Sequence, residues 1–402
     1  MSKIGLTRIL FILGGLAIGA LPALGQTVDD PIRQMVQRLD PEKYKATIKG
    51  LTKFGDRRQG TDRNRAAIDW IEAQLKSYGC TNTERLTYQF GPEPPHRVLS
   101  ADAARPARGD EPEIGAGGSR LRGVRKPAGV NFDPMKQPDA RIRALDAQGA
   151  TPGERQEVWC TKIGRAHPEE MYIVGAHMDG IGFGEAANDN GSGTALVMEL
   201  ARIFASPDVR TDRLIRFILW NNEETGLNGA AACVAQRAGL QGKESPPGSG
   251  RYPEPKWLGM IQHDMMLFDH GMPRADGSLS PSQRPEADVN IEFQLDSKFA
   301  NVSRDLAFAL QAANEKYATD YPASIGSHMT NTDSHEFQDA VASISVRENE
   351  RGAQVGAGWD PQWHQPTDLY ATYDDKDFRL GLNAAQTTLS AVARLAGAGL
   401  NK

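Results

Sequence analysis

Cysteine is scarce in this chain: Cys80, Cys160 and Cys233 are the three in 402 residues. Their spacings match no cysteine-based metal motif, which excludes zinc-finger and iron–sulfur readings. An oxidising compartment permits one disulfide and leaves one thiol over. The simpler expectation for each is a small buried side chain. Charge of one sign is also lacking. Lys and Arg number 46 against 51 Asp and Glu, for a formal net charge of −5, and no basic run stands out. Nucleic-acid binding therefore has no support. Long apolar runs are missing too. Residues 9–21 are apolar but short for a membrane span of roughly 20 residues. Lys3 and Arg8 precede or open this run, and the small-residue stretch Ala23-Leu24-Gly25 follows it. Residues 1–25 thus read as a cleaved signal peptide, giving a periplasmic or secreted protein with no membrane anchor after cleavage. No Cys follows the run to carry a lipid, and no internal repeat is present.

What remains is an ordinary soluble composition, 39% hydrophobic and 24% charged, enough for a sizeable core. Residues 26–402 are expected to form one domain. Helices are expected over 28–39, 41–54, 62–78, 190–204, 229–238, 303–318 and 376–395. Asp62 is the expected cap of the third, with Ala66, Ala67, Trp70, Ile71 and Leu75 on its inner face. Strands are expected over 85–90, 157–163, 172–176, 214–220, 258–267, 291–295 and 342–346. Between them, residues 92–155 hold many Pro, Gly, Ala and Arg with little periodicity and read as a long inserted loop. Residues 241–256 and 269–290 also read as loops. The alternation argues an α/β fold with a mostly parallel, doubly wound sheet covered by helices on both faces.

Residues 171–229 carry the chemistry. An apolar strand ends at His177-Met178-Asp179. Asn-Asp-Asn-Gly-Ser-Gly follows, with Asp189 where a helix starts. Glu223 and Glu224 come after the apolar strand 214–220. Acids and a histidine at strand ends sit where an open α/β sheet builds its active site. Asp179 can accept a hydrogen bond from the second ring nitrogen of His177 and set its tautomer. Asp189 can offer one oxygen to each of two cations. Of two adjacent glutamates, one can bind a metal while the other takes a proton from water. Asp264, an acid among apolar residues at a strand end, and His364, in a loop before the last helix, complete the set. Hydrolytic zinc uses such His and carboxylate ligands.

The order His-x-Asp, Asp-Asn-Gly-Ser-Gly, Glu-Glu-x-Gly-x-x-Gly, Asp, His resembles the co-catalytic di-zinc aminopeptidases, the twenty-eighth family of metallopeptidases. The likeness covers roughly residues 40–90 and 156–395, including Gly55-Asp56-Arg57-Arg58 before the third helix. It implies a three-layer α/β/α zinc exopeptidase fold with a mixed eight-stranded sheet. It also implies two Zn2+ ions, one on His177 and Asp264 and one on Glu224 and His364, bridged by Asp189. Glu223 would be the general base, Asp179 would orient His177, and the substrate would be a peptide with a free N-terminus. A cis peptide bond after Asp189 is implied as well. In one segment the chain departs from the pattern: Thr332-Asp333-Ser334-His335-Glu336-Phe337 has Ser334 where the family has His, so no role passes to it. The rival activities on this fold are a single-zinc glutaminyl cyclase and a catalytically dead binding protein.

Overall fold

The computed structural model describes residues 30–91, 129–269, 289–318, 320–326, 332–348 and 360–401. The expected signal peptide, residues 92–128 of the expected insertion and most of the loop expected over 269–290 lie outside the described residues. Eight strands form one mixed sheet. They are β1 (Glu84–Phe90), β2 (Gly153–Lys162), β3 (His167–His177), β5 (Arg213–Trp220), β6 (Lys256–Asp264), β7 (Val289–Glu292), β8 (Ala323–Gly326) and β9 (Ser343–Glu348), in the order β1-β2-β5-β3-β6-β9-β7-β8. A short two-stranded ribbon pairs β4 (Val209–Arg210) with β10 (Gly399–Leu400). β3 runs parallel to both β5 and β6, and β6 parallel to β9. β1, β2 and β7 pair antiparallel with β2, β5 and β9 respectively. β5 therefore has one antiparallel neighbour, although its apolar run reads as a purely parallel central strand. The four-residue β8 was not expected at all, being too short to show alternation.

Side chains alternate across the sheet and feed two cores. Val158, Val174, Ala176, Ile215, Phe217, Leu219 and Ile261 pack under the helices Pro41–Leu51, Gly191–Phe204 and Asp375–Leu395. On the other face Trp159, Ile173, Ile218, Trp220 and Met260 pack under Asn228–Arg237 and Ser334–Phe337. Arg216, the break in β5, is buried there because Glu254 pairs with it at 2.7 Å and Trp159 lies under its guanidinium at 4.7 Å. Three layers result, as expected for the α/β/α class.

Several local expectations are corrected. Thr61, not Asp62, caps the helix Asp62–Ser77, its side chain accepting from the Asn64 amide. The buried face of that helix is Ala67, Ile68, Ile71 and Leu75, with Ala66 exposed. Cys80 and Cys160 form a disulfide that ties the end of this helix to β2, and Cys233 is a buried free thiol. Burial alone, the simpler expectation, was thus incomplete for two of the three. Within the expected insertion, residues 129–155 hold the 3-10 turn Pro134–Lys136, the helix Ala140–Asp146 and the start of β2. Their order comes from specific hydrogen bonds, which composition does not reveal. Gln137 is fully buried and donates to the carbonyls of Phe183 and Pro366 at 2.6 and 2.9 Å.

Candidate metal centre

The expected site residues meet at the carboxyl ends of the parallel strands. His177 is the last residue of β3 and Asp264 the last of β6. Glu223 and Glu224 lie just past the end of β5. Asp189 precedes the helix Gly191–Phe204 by two residues, and Asn190 is the cap, accepting from Gly193 N at 2.9 Å. The Asp189–Asn190 peptide bond is cis, as the resemblance implied. Neighbouring strand residues point to opposite faces. His263 is accordingly turned away from Asp264, onto Thr388 at 2.8 Å.

Asp189 divides the site in two. Its Oδ1 lies 3.4 Å from His177 Nε2, and its Oδ2 lies 2.9 Å from His364 Nε2. Asp264 Oδ1 is 3.5 Å from His177 Nε2, and Glu224 Oε2 is 2.8 Å from His364 Nε2. Glu223 stands further off, with Oε2 at 4.0 Å from His177 Nε2. Donor atoms of His177, Asp189 and Glu224 all lie within 4.8 Å of one another, as do those of His177, Glu223 and Asp264. Every one of these side chains is at most 10% exposed, and Glu223 and His364 are the most open.

Asp179 does not act on His177 as expected. His177 Nδ1 donates to the main-chain carbonyl of Asp179 at 3.0 Å, and the carboxylate is 3.8 Å away. The carboxylate instead accepts from the amides of Glu223 at 3.1 Å and Glu224 at 3.4 Å. It holds the turn that presents both glutamates. The departing segment is split: Asp333 is buried and accepts from Gln262 Nε2 at 2.9 Å, whereas His335 is exposed and far from any role here.

Three bracing residues were missed by sequence reading. Arg57, fully buried, donates to the carbonyls of Met178, Glu185 and Ala186 at 2.7, 2.9 and 2.8 Å. Asp368 accepts from the amides of Asn188 at 2.8 Å and Asp189 at 3.1 Å. Arg347 Nη2 approaches Asp264 Oδ2 at 2.9 Å. The only sequence signal would have been charged residues flanking the motifs, and that is common on surfaces. Close approach also explains Gly182: a Cβ there would lie 2.5 Å from the backbone of His364.

Burial and charge set the protonation of the metal-free site. Burial disfavours His364⁺, but Glu224 and Asp189 outweigh it and push its pKa up to about 10. His177 is likewise raised, against burial, by Glu223, Asp189 and Asp264. Burial raises Glu224 to about 7, opposed chiefly by His364. Glu223 is raised well above its ordinary range by burial, with the Glu224 charge adding to it and His177 opposing. For Asp264 burial works upward, and Arg347 and His177 bring the carboxyl below its ordinary value. Two imidazoles and three carboxylates around a divided aspartate fit a pair of divalent cations of the zinc type. The 3.4 and 3.5 Å spacings around His177 match the edge of a tetrahedron, about 3.3–3.6 Å when each ligand atom lies about 2.0–2.2 Å from its centre.

Fold and donor set together define an α/β protein of the zinc exopeptidase class. The sequence pattern of Peptidase family M28 matches residues 158–387, more than half of the chain, and the chain belongs to that family. Aminopeptidase YwaD of Bacillus subtilis (strain 168) is 34% identical over 114 residues, 28% of this chain and 23% of that protein. The chain thus spans under a quarter of that curated relative's length. Among solved structures, BSAP, a zinc aminopeptidase from Bacillus subtilis, superposes with a TM-score of 0.59 at 17% identity, covering 89% of this chain and 95% of that one. Porphyromonas gingivalis glutaminyl cyclase superposes with a TM-score of 0.55 at 14% identity, covering 89% and 99%. The two share the fold, so the fold does not choose between their activities.

Proposed function

We propose that this chain is an exported di-zinc aminopeptidase, with one ion on His177 and Asp264, the other on Glu224 and His364, and Asp189 between them. The observation that carries this reading is the division of Asp189, whose two oxygens face two different imidazoles at 3.4 and 2.9 Å. When bound, such a pair supplies Lewis acidity that acidifies water and polarises the scissile carbonyl. Glu223 takes the proton of the attacking water and passes it to the leaving nitrogen as the C–N bond breaks. Its 4.0 Å stand-off from His177 and its residual exposure suit a base better than a ligand. Substrate approaches from the side where Glu223 and His364 are least covered, and the site's acids hold its α-ammonium. Asp179 keeps the Glu223–Glu224 turn in place through both amides. Export is supported by the signal-like residues 1–25 and by the Cys80–Cys160 disulfide, which persists in oxidising compartments. Among the described residues no helix is long and apolar enough to cross a membrane.

A metal count combined with a substrate panel tests this. Two zincs per chain and hydrolysis of aminoacyl-nitroanilides, with N-blocked peptides left intact, are expected. One zinc with cyclisation of N-terminal glutamine would replace the reading with a cyclase. Cleavage of N-blocked peptides at their C-terminus would make it a carboxypeptidase. No activity on any aminoacyl amide would favour a binding protein.

A further inference from the structure

We propose that Arg347 is a positioning residue that holds Asp264 to a single metal-facing oxygen. The inference rests on the reading of Asp264 as a ligand. Arg347 lies on β9 directly opposite Asp264 of β6 in the parallel register, so their side chains leave the sheet together. Both are buried, at 3% and 5% side-chain exposure. The guanidinium is anchored at its near end, where Nε donates to Ser345 Oγ at 3.1 Å and lies 3.7 Å from Glu292 Oε2. Its far end, Nη2, reaches Asp264 Oδ2 at 2.9 Å in an ion pair that lacks the angle of a hydrogen bond. Oδ2 is thereby occupied, and Oδ1 is the oxygen turned to His177 at 3.5 Å.

A buried arginine here has a steep desolvation cost, and an apolar side chain would fill the same core space without it. What the arginine provides is orientation. A carboxylate free at both oxygens can rotate or grip a cation with both, which crowds the position water needs. One whose Oδ2 is ion-paired to a buried guanidinium anchored through Nε on Ser345 keeps Oδ1 as its metal-facing oxygen. Partners of this kind set ligand geometry from outside the coordination sphere, and their loss typically weakens metal binding by about 10- to 100-fold.

The test is a zinc titration of the full chain against a competing chelator, for wild type, Arg347→Met and Arg347→Lys. In wild type two zincs are expected. Arg347→Met should weaken one of them by about 10-fold or more and leave the other within about twofold. Arg347→Lys keeps the charge but loses the Nε anchor on Ser345, so a smaller loss confined to the same zinc is expected. A general packing defect would lower the melting temperature and move both zincs or neither. Unchanged affinity in both variants overturns the proposal, as does tighter binding in Arg347→Met, which would make the arginine a repulsive charge and not a guide. If Arg347→Met does not fold, Arg347→Lys decides alone. The underlying reading fails separately, if wild type binds no zinc or if Asp264→Ala retains both.

Discussion

The two halves of the metal centre contain similar donors but are held very differently. His177 and Asp264 are the last residues of neighbouring parallel strands, each still in register with its outer neighbour, His177 with Trp220 of β5 and Asp264 with Arg347 of β9. His177 is fastened through Nδ1 to a main-chain carbonyl, and Asp264 is tied to Arg347. Around His177 the contacts stay at 3.4 and 3.5 Å, open enough for a cation. His364 sits in a loop with φ +57°, stacked on Trp363 at 4.0 Å, and its Nδ1 has no hydrogen-bond partner among the described residues. Its Nε2 lies 2.9 Å from Asp189 and 2.8 Å from Glu224, the range of charge-assisted contacts. Both imidazoles have their pKa raised by neighbouring acids, and the strand-borne one stands further from its acids than the loop-borne one.

The largest expected effect lies outside both halves. Glu223→Gln should lower turnover by about 100- to 10,000-fold while two zincs remain bound, as measured by steady-state kinetics beside a metal count. Near wild-type turnover would remove Glu223 as the base. Loss of metal would place it within the His177 half.

Asp264→Ala and His364→Ala set the halves against each other. Each should release one zinc, and a different one. In the metal-free state Asp264→Ala leaves Arg347 buried without its partner, which typically costs about 3–5 kcal/mol. His364→Ala should cost less, because Glu224, already raised to about 7, can shed its charge by taking up a proton where a guanidinium cannot lose one. Urea unfolding of both variants gives the ranking, and equal losses would erase the distinction between strand and loop.

Asp368→Asn probes the strap between the His364 loop and Asp189, the proposed bridge. An amide can accept from only one of the Asn188 and Asp189 amides, so about 1–3 kcal/mol should be lost by denaturant unfolding. The zinc at His364 should weaken more than the zinc at His177.

The loop half also carries a pH dependence of the metal-free protein. His364 is raised in the folded state, to about 10. Its contribution to stability is fully present below its unfolded pKa of about 6.5 and is lost as pH rises through about 10. Glu224, raised to about 7, makes its change at lower pH. Between pH 7 and 10.5, chelator-treated wild type should therefore lose stability relative to His364→Ala. Parallel curves would show that His364 is not held by its acids.

Much of the site was legible because its ligands interrupt apolar runs. His177, Glu223 and Glu224 follow strands whose faces are buried, where a solvated acid makes little sense. Asp189 stood out through the Asn-Asp-Asn-Gly-Ser-Gly turn. The bracing groups had no such signature. Arg57 and Asp368 sit in polar stretches where charged residues are usual, and Arg347 directly follows the expected strand 342–346 without being singled out. What sets them apart is burial and the backbone they touch, over 121 to 129 residues of separation for Arg57 and 179 to 180 for Asp368. The same reason hid the ordered part of 129–155, whose Gln137 bonds to Pro366 across 229 residues.

By itself, then, the sequence determined the alternation of strands and helices, the sheet class, the chemical identity of the donors and the order in which they occur. Those follow from periodicity and from residue type, which are local. Only the tertiary structure decided which donors lie together, that Asp179 supports the glutamates through their amides, that Cys80 finds Cys160, and that one half of the centre rests on strand ends and the other on a loop. Each of these depends on distances between segments far apart in the chain, and burial by other segments turns ordinary surface residues into braces and counter-charges.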